Sequence, residues 1–302
     1  MRAVRIHQYG GPDTLRYDDD VPEPAAGPDT VLIRSAATSV NPIDWKVRSG
    51  VRQKDFPLTL PAILGRDVSG VVVAVGSEVR TFRPGDRVIA MADATYAELV
   101  AAPEAVVAHL PDGLDPIDAA AIPLVSLTGD QLVRVATQAA AGQTILVSGA
   151  LGSVGRAAVH TAKKLGATVI VGVRARQLAE AESLGAHGAV ALDDHDALAR
   201  LDAVDGVADT VGGAIAAELL GKVRAGGRFG YASVLPEDAV NASVEVSRVF
   251  AQPDASKLRE FADDIRDGTF VLPISRRMPL RDARVAHEVL EKGGGGKIVL
   301  TL

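Results

Sequence analysis

Thirty consecutive residues, Ile145 to Arg174, constrain the fold of this chain more than any other stretch: ILVSGALGSVGRAAVHTAKKLGATVIVGVR. The apolar run Ile145-Leu146-Val147 breaks into a turn of small residues, Ser148-Gly149-Ala150-Leu151-Gly152-Ser153-Val154-Gly155. Val154, Ala158, Thr161 and Leu165 then fall at helical spacing, Gly166 stops the helix, and the β-branched run Thr168 to Val173 follows. Strand, tight turn, helix and strand together present backbone N–H groups and a positive helix end to a dinucleotide pyrophosphate. A side chain at Gly152 would hold that pyrophosphate off, and one at Gly155 would push the helix off the strand. Ala150 stands where a full GxGxxG has its first glycine, so the evidence lies in the position of the turn between strand and helix. The expected ligand is a nicotinamide or flavin dinucleotide.

The end of the second strand narrows the ligand further. An NAD-selective unit carries Asp or Glu there, which accepts from the ribose hydroxyls and repels a 2′-phosphate. Here the residues are Gly172-Val173-Arg174-Ala175-Arg176, with no carboxylate. Arg174 and Arg176 offer cationic forks to a 2′-phosphate, which predicts NADPH. The alternative is that both are ordinary solvated charges at a helix entry.

Composition bounds the rest. A length of 302 residues suggests two domains. A hydrophobic share of 47% fits an α/β protein with buried parallel strands. A net charge of −6 without a basic block predicts no nucleic-acid partner. No apolar stretch approaches a membrane span, and the first residues, MRAVRIHQYG, enter a strand-like alternation with no secretory apolar segment. The chain has no cysteine, which removes disulfides, thiolate catalysis and Cys-ligated metal, and is compatible with a cytoplasmic protein.

Residues 1–115 read as short strands (Met1–His7, Val31–Ala37, Gly70–Val75, Asp86–Ala90, Ala97–Ala101, Ala105–His109) punctuated by turns such as Pro84-Gly85-Asp86. This predicts a barrel-like β unit. From Asp115 the texture alternates: helices over Pro116–Ala120, Leu127–Ala139, Arg176–Leu184 and Ala214–Val223, and strands over Gly188–Leu192, Gly206–Asp209 and Gly227–Ala232. Repeated βαβ units predict a doubly wound parallel sheet. Lys297–Leu300 reads as a strand that must pair somewhere, and Gly293–Gly296 as a short turn.

Strings along nearly the whole chain resemble the medium-chain dehydrogenase/reductase superfamily, in its zinc-free quinone oxidoreductase (zeta-crystallin-like) branch. They are Ser39-Val40-Asn41-Pro42-Ile43-Asp44-Trp45-Lys46, Leu64-Gly65-Arg66-Asp67-Val68-Ser69-Gly70-Val71-Val72, Val75-Gly76-Ser77-Glu78-Val79 and Pro84-Gly85-Asp86-Arg87-Val88. Leu127-Thr128-Gly129, the glycine turn, Asp209-Thr210-Val211-Gly212-Gly213 and Gly296-Lys297-Ile298-Val299-Leu300 continue the series. The resemblance implies a GroES-like β-barrel catalytic domain (1–115 with 267–302) and a Rossmann NADPH-binding domain (116–266), with the active site in the cleft between them. It also implies a homodimer. Zinc-dependent relatives carry Cys near position 41 and His near position 66, where this chain has Asn41 and Arg66. A guanidinium stays protonated and cannot ligate a cation, so no metal site is expected.

Without a metal, the acceptor must be one whose charge moves readily onto a distant oxygen: a quinone or an α,β-unsaturated carbonyl. The resemblance implies that Asn41 lines the site and donates to that oxygen, with Asp44 and Lys46 orienting donors from the same loop. A loop-stabilising turn and a surface ion pair are the alternatives for Asp44 and Lys46. Thr128 would touch the nicotinamide or ribose, or else satisfy its own helix backbone. Thr210, Tyr231, Ala232 and Phe250 fall on segments that resemble cofactor-lining ones, Tyr231 being as well explained as a core residue. Arg66-Asp67 reads as a structural ion pair, the six histidines show no metal spacing and most read as surface or helix-face residues, and Asp130 has no assigned role. Two rival functions remain open: a reductase of conjugated C=C bonds in enones, enals or enoyl thioesters, and a non-catalytic NADPH-binding protein.

Overall fold

A computed structural model describes residues 1–293 and 296–302, so that part of the expected turn at Gly293–Gly296 lies outside the described residues. The chain forms two compact units, Met1–Leu124 with Pro253–Leu302, and Val125–Gln252. The divisions come later and earlier than the expected 115/116 and 266/267. Helix α2 (Pro116–Ala119) packs Ala120 and Ala121 beside it against Ala37 and Val299 of unit 1, and helix α8 (Ala255–Arg266) packs on strands of the same unit.

Unit 1 contains β1 (Ala3–Ile6), β2 (Leu15–Asp18), β3 (Thr30–Val40), β4 (Ala62–Ile63), β5 (Asp67–Val75), β6 (Arg87–Met91), β7 (Leu99–Pro103) and β8 (Val107–His109). Near the C-terminus it adds β15 (Ile274–Pro279) and β16 (Lys297–Thr301), with α9 (Ala283–Glu291) between them. The larger sheet runs β15-β16-β3-β5-β6-β8, with β7 also paired to β3. Eleven-residue β3 is its spine: Ala37–Val40 pairs antiparallel with β16, Val31–Thr38 with β5, and Thr30–Arg34 with β7. The expected final strand has therefore found its partner. Beyond the expected Val31–Ala37, β3 runs on to Val40 and delivers the chain directly into helix α1 (Pro42–Arg48). Residues 42–48 are thus helical, where a loop was expected. Asn41 at the N-cap, Pro42 in the first turn and Asp44 three residues after the cap form a helix start that is legible in retrospect.

Unit 2 begins inside α3 (Pro123–Gln131), which closes in a π-helical turn over Leu132–Ala136. Six parallel strands follow: β9 (Thr144–Ser148), β10 (Thr168–Val173), β11 (Gly188–Ala191), β12 (Val204–Asp209), β13 (Val223–Tyr231) and β14 (Glu245–Arg248). They are linked by α4 (Ser153–Lys164), α5 (Leu178–Ala181, flanked by 3₁₀ turns), α6 (His195–Arg200) and α7 (Gly213–Leu220). The order β11-β10-β9-β12-β13-β14 is that of a doubly wound sheet, and β14 extends it one strand past the expected end. Side chains alternate between two buried layers. Ile145, Val147, Val169, Val171, Val173 and Ala208 face one, while Leu146 and Val207 face the other. Covering both faces explains why these strands read as unbroken apolar runs rather than as alternation. Among the described residues no helix is long and apolar enough to cross a membrane.

If β16 is integral to unit 1, Ile298→Ala, which empties a fully buried site, should cost about 2–5 kcal/mol. Denaturant unfolding monitored on the full chain checks this; an unchanged midpoint would mean the terminal strand adds little.

Candidate active site

In unit 2 the strand order reverses between β9 and β12, and ligands of such sheets bind outside the strand ends at that switch point. Both strand ends turn there, and the two turns are tied together. Ser148 Oγ donates to Asp209 Oδ1, and Thr210 N donates back to Ser148 Oγ at 2.9 Å. Thr210 Oγ1 donates to the Ser148 carbonyl at 2.7 Å. Asp209 also accepts from Val211 N (3.2 Å) and Gly212 N (2.9 Å), which fixes the second turn. Burial pushes the Asp209 carboxyl up from its ordinary range against these hydrogen bonds.

The glycines have separable tasks. Gly149 has φ +61°, and a Cβ there would lie 2.4 Å from Thr210 Oγ1. A Cβ at Gly155 would lie 2.3 Å from the Gly149 carbonyl oxygen, whereas one at Gly152, the N-cap of α4, meets only that same oxygen at 3.2 Å. Gly155 is therefore closed by the protein itself, whereas Gly152 is exposed and has a single close backbone neighbour, which a small shift would relieve. Beyond it, the first-turn N–H groups of Ser153, Val154 and Gly155 lack intrahelical acceptors, as at any helix start. The expected cofactor residues divide accordingly. Ser148 and Ala150 are fully buried, and Ala150 N already donates to the Gly172 carbonyl at 3.3 Å, so neither side chain is presented to a ligand. Gly152 is the exposed point of the turn, Leu151, Ser153 and Val154 are half-buried around it, and Gly155 is buried under the helix start.

Arg174 and Arg176 follow β10 directly. Both are exposed, and neither forms an ion pair with any described residue. The exposed carboxylate of Asp193 lies close by, its Oδ1 accepting from Ala175 N at 2.7 Å. Thr128 is buried in α3. Tyr231, at the end of β13, rests its ring 6.4 Å from that of Phe229 and packs with the core layer around Leu146, so the core role holds for its ring. Ala232 N donates to the Asp209 carbonyl at 3.1 Å, and Phe250 is half exposed with the Arg248 guanidinium 4.3 Å above its ring. Asp130 also finds an explanation: buried one helical turn from Arg134, it accepts from that guanidinium at 2.8 and 3.0 Å.

Unit 1 holds the other expected residues, and here the side chains, not the backbone, carry the site. Asn41 is 1% exposed. Its Nδ2 donates to Asp67 Oδ2 at 2.7 Å, and its Oδ1 accepts from Lys297 Nζ at 2.8 Å. Lys297 Nζ also lies 3.3 Å from Asp67 Oδ2, both side chains being buried. Asp67 accepts further from Ser39 Oγ and from Leu124 N (2.7 Å). The expected Arg66–Asp67 pair does not form. Successive residues in extended chain point to opposite sides, so Arg66 pairs with Asp93 at 2.8 Å while Asp67 turns inward to Lys297.

Asp44 and Lys46 do not converge on Asn41 as a loop would allow. Two apart on a helix, they occupy different faces: Asp44 is buried, while the Lys46 ammonium lies 5.7 Å from the Trp45 ring centroid. Asp44 Oδ2 accepts from Asn41 N (2.8 Å) and from Tyr96 Oη (2.9 Å), closing the α1 capping box. Tyr96 contacts His287 Nε2 at 3.1 Å, and His287 Nδ1 contacts Arg48 Nη1 at 3.1 Å. Arginine only donates, so Nδ1 accepts; the imidazole proton sits on Nε2 and is donated to Tyr96, which donates to Asp44. Arg48 is anchored by the Gly10 carbonyl and by Glu291. Sequence reasoning missed Asp67, Lys297, Tyr96 and Arg48 as site residues, and it placed His287 among surface or helix-face positions, though it is fully buried. The available signal was its spacing with Ala283, Ala286 and Leu290, the apolar stripe of α9.

Residues 27–112 match the family described as Alcohol dehydrogenase GroES-like domain, and residues 184–300 the family described as Zinc-binding dehydrogenase. The chain is similar to a quinone oxidoreductase of Pseudomonas aeruginosa, 39% identical over 224 residues that cover 70% of this chain and 66% of the relative. It is also similar to the human quinone oxidoreductase, 37% identical over 172 residues covering 56% of this chain. That match spans about half (52%) of the relative's length. Among solved structures, the quinone oxidoreductase from Coxiella burnetii superposes with a TM-score of 0.88 at 30% identity, covering 100% of this chain and 99% of that one.

Two outcomes test the site. Gly152→Val should leave the fold intact and weaken dinucleotide binding at least tenfold, whereas Gly155→Val should lower stability itself; equal cofactor affinity for Gly152→Val and wild type would remove the turn as the pyrophosphate site. The second concerns pH. Burial pushes the Asp44 carboxyl up to about 7 from 3.8, so its contribution to stability is full below pH 3.8 and is lost as pH rises through about 7. Burial, with Arg48 beside it, pulls the His287 imidazole down to about 3 from 6.5, so its contribution is full above pH 6.5 and is lost as pH falls toward 3. The two slopes oppose each other across the shared window. His287→Gln should therefore make stability fall with rising pH between about 4 and 6.5, relative to wild type, and Asp44→Asn should make it rise, each by up to about 1.4 kcal/mol per pH unit. Denaturant melts across that window decide; curves parallel to wild type would exclude the linkage.

Proposed function

The chain belongs to the medium-chain dehydrogenase/reductase superfamily, and on that premise we propose that it is a zinc-independent, NADPH-dependent oxidoreductase that passes hydride to quinones or related conjugated carbonyls. The observation that carries the NADPH half is the end of β10: two exposed arginines, ion-paired with no described residue, and no carboxylate between Gly172 and Arg176, beside the exposed Gly152 at the start of α4. A pair of guanidinium groups suits a 2′-phosphate, and the α4 N-terminus suits the pyrophosphate.

The residues of unit 1 do not fit a zinc ion. There is no cysteine, Arg66 cannot ligate, the Asn41 carbonyl oxygen is engaged by Lys297, and no group of three metal-ligating side chains occurs among the described residues. Bound NADPH would supply the hydride, two electrons with one hydrogen nucleus. Negative charge then gathers on the acceptor oxygen, and Asn41 meets it through its second Nδ2 proton, which no described residue accepts. Water supplies the final proton, giving a hydroquinone or an enol. Thr128 and Phe250 are proposed to border the cofactor, and a cytoplasmic homodimer is the proposed state. Similarity to quinone oxidoreductases favours quinones over the other conjugated acceptors.

Stopped-flow NADPH oxidation against a panel of quinones, enones and enals, with NADH in parallel and with and without a chelator, tests this reading. Turnover of quinones by NADPH, indifferent to chelation, is expected; preference for enones or enals would reassign the enzyme as a C=C reductase, and NADPH binding without turnover would make it a binding protein. Arg174→Ala with Arg176→Ala should weaken NADPH by about 10- to 100-fold and NADH by less than threefold, about 1.4–2.8 kcal/mol in all for two solvent-screened charge-assisted contacts. Equal loss for both cofactors would sink the 2′-phosphate assignment.

A further inference from the structure

Lys297 enters the reading above only as a block to metal ligation by Asn41, yet its amino group is buried at the start of β16, 256 residues from the side chain it touches. A buried lysine is costly, and a surface one would serve the sheet equally well. Its position is specific. Nζ donates to Asn41 Oδ1 at 2.8 Å while Asp67 Oδ2 accepts from Asn41 Nδ2 at 2.7 Å, so the amide is gripped at both ends and its orientation is fixed. One Nδ2 proton is thereby spent on Asp67 and the other is left as the amide's remaining donor. A cation on the carbonyl oxygen draws electron density from the amide nitrogen and strengthens that donor, while the Asp67 carboxylate beside Nδ2 offsets the cation's direct field, so that the lysine acts through the amide.

We propose that Lys297 is a positioning residue that acts through Asn41, orienting and polarising its amide so that an oxyanion formed on a conjugated acceptor is stabilised as a metal ion would stabilise it. The proposal rests on the reading that Asn41 donates to the acceptor oxygen. Asp67 holds the lysine in place and balances its charge, and Ser39 and Leu124 N hold Asp67 in turn. Burial draws the ammonium down from its ordinary range and Asp67 opposes that.

The test uses the full-length protein and a chromogenic phenol, 4-nitrophenol, as a stand-in for the product oxyanion. In wild type the bound phenol should ionise at lower pH than the free compound, read by its visible absorbance with no turnover; a bound ionisation midpoint equal to or above the free one overturns the proposal regardless of any variant. The double variant Asp67→Asn/Lys297→Gln keeps hydrogen-bonding groups at both positions and removes the charges together. It should bind NADPH as wild type does, lose at least tenfold in the phenolate-to-phenol ratio at fixed pH, and lose at least tenfold in single-turnover hydride transfer. Within a series of quinones the loss should be greatest for the weakest acceptors, a trend that a merely structural lysine would not produce. A folded double variant with wild-type ionisation and rates overturns the proposal. Asn41→Ala separates the two layers. If it loses both signals while the double variant keeps them, Lys297 alone is excluded; if Asn41→Ala keeps both, the donor reading falls and this inference with it.

Discussion

The buried contact of Asp67 with Lys297 governs the architecture of unit 1. Two opposite charges withdrawn from water repay their desolvation only when geometry is tight and every remaining donor and acceptor is met; removing one partner of such a pair costs about 3–5 kcal/mol. Here the partners come from four segments far apart in sequence. β5 supplies Asp67, β16 supplies Lys297, β3 supplies Ser39 and leads into Asn41, and α3 supplies the Leu124 N–H. Because β3 lies between β5 and β16 in the sheet, the pair also fixes which strand ends face inward. A one-residue slip of β16 would turn Lys297 to the other face, strand Asp67 without a counter-charge and free the Asn41 amide to rotate.

Unit 2 solves a similar problem with fewer charges. Its two turns at the switch point are joined by Ser148, Thr210 and Asp209, so the end of β9 cannot move independently of the end of β12. The open space at Gly152 is then bounded by fixed backbone rather than by mobile side chains. That is the arrangement a pyrophosphate requires, since its oxygens are met by N–H groups whose positions are set before it arrives.

This contrast also explains what could be read from sequence. In unit 2 the features lie within thirty residues and rest on backbone geometry, which glycine spacing reports directly: Gly149, Gly152 and Gly155 were legible, and so was the absence of a carboxylate after Val173. Even there Ala150 and Ser148 were assigned to the ligand, when a buried position facing the sheet and a clamp on Asp209 account for them. In unit 1 the motif strings were visible, but their contacts were not. Nothing local distinguishes Lys297 in GKIVL from an exposed strand-edge lysine, and the chain carries no signal that Arg48, Tyr96 and His287 meet across 239 residues. Helix α1 is announced by a different signal, the capping pattern of Asn41 and Asp44 around Pro42, which the side-chain chemistry of Asn41, Asp44 and Lys46 does not reveal.

The helix assignment changes what the neighbouring residues do. With Asp44 locked in the cap of α1, its carboxylate serves the backbone N–H of Asn41, and the chain Arg48–His287–Tyr96–Asp44 serves that cap in turn. The Asn41 backbone and the Asn41 side chain are thus held by two separate buried networks, one reaching toward α9 and one toward β16. A single hydrogen bond to a side chain with free torsions would have to be ordered anew each time charge appeared on an acceptor. An amide fixed at its backbone by Asp44 and at both side-chain ends by Asp67 and Lys297 has already met that cost on folding, which is the preorganisation that the proposed donor role of Asn41 requires.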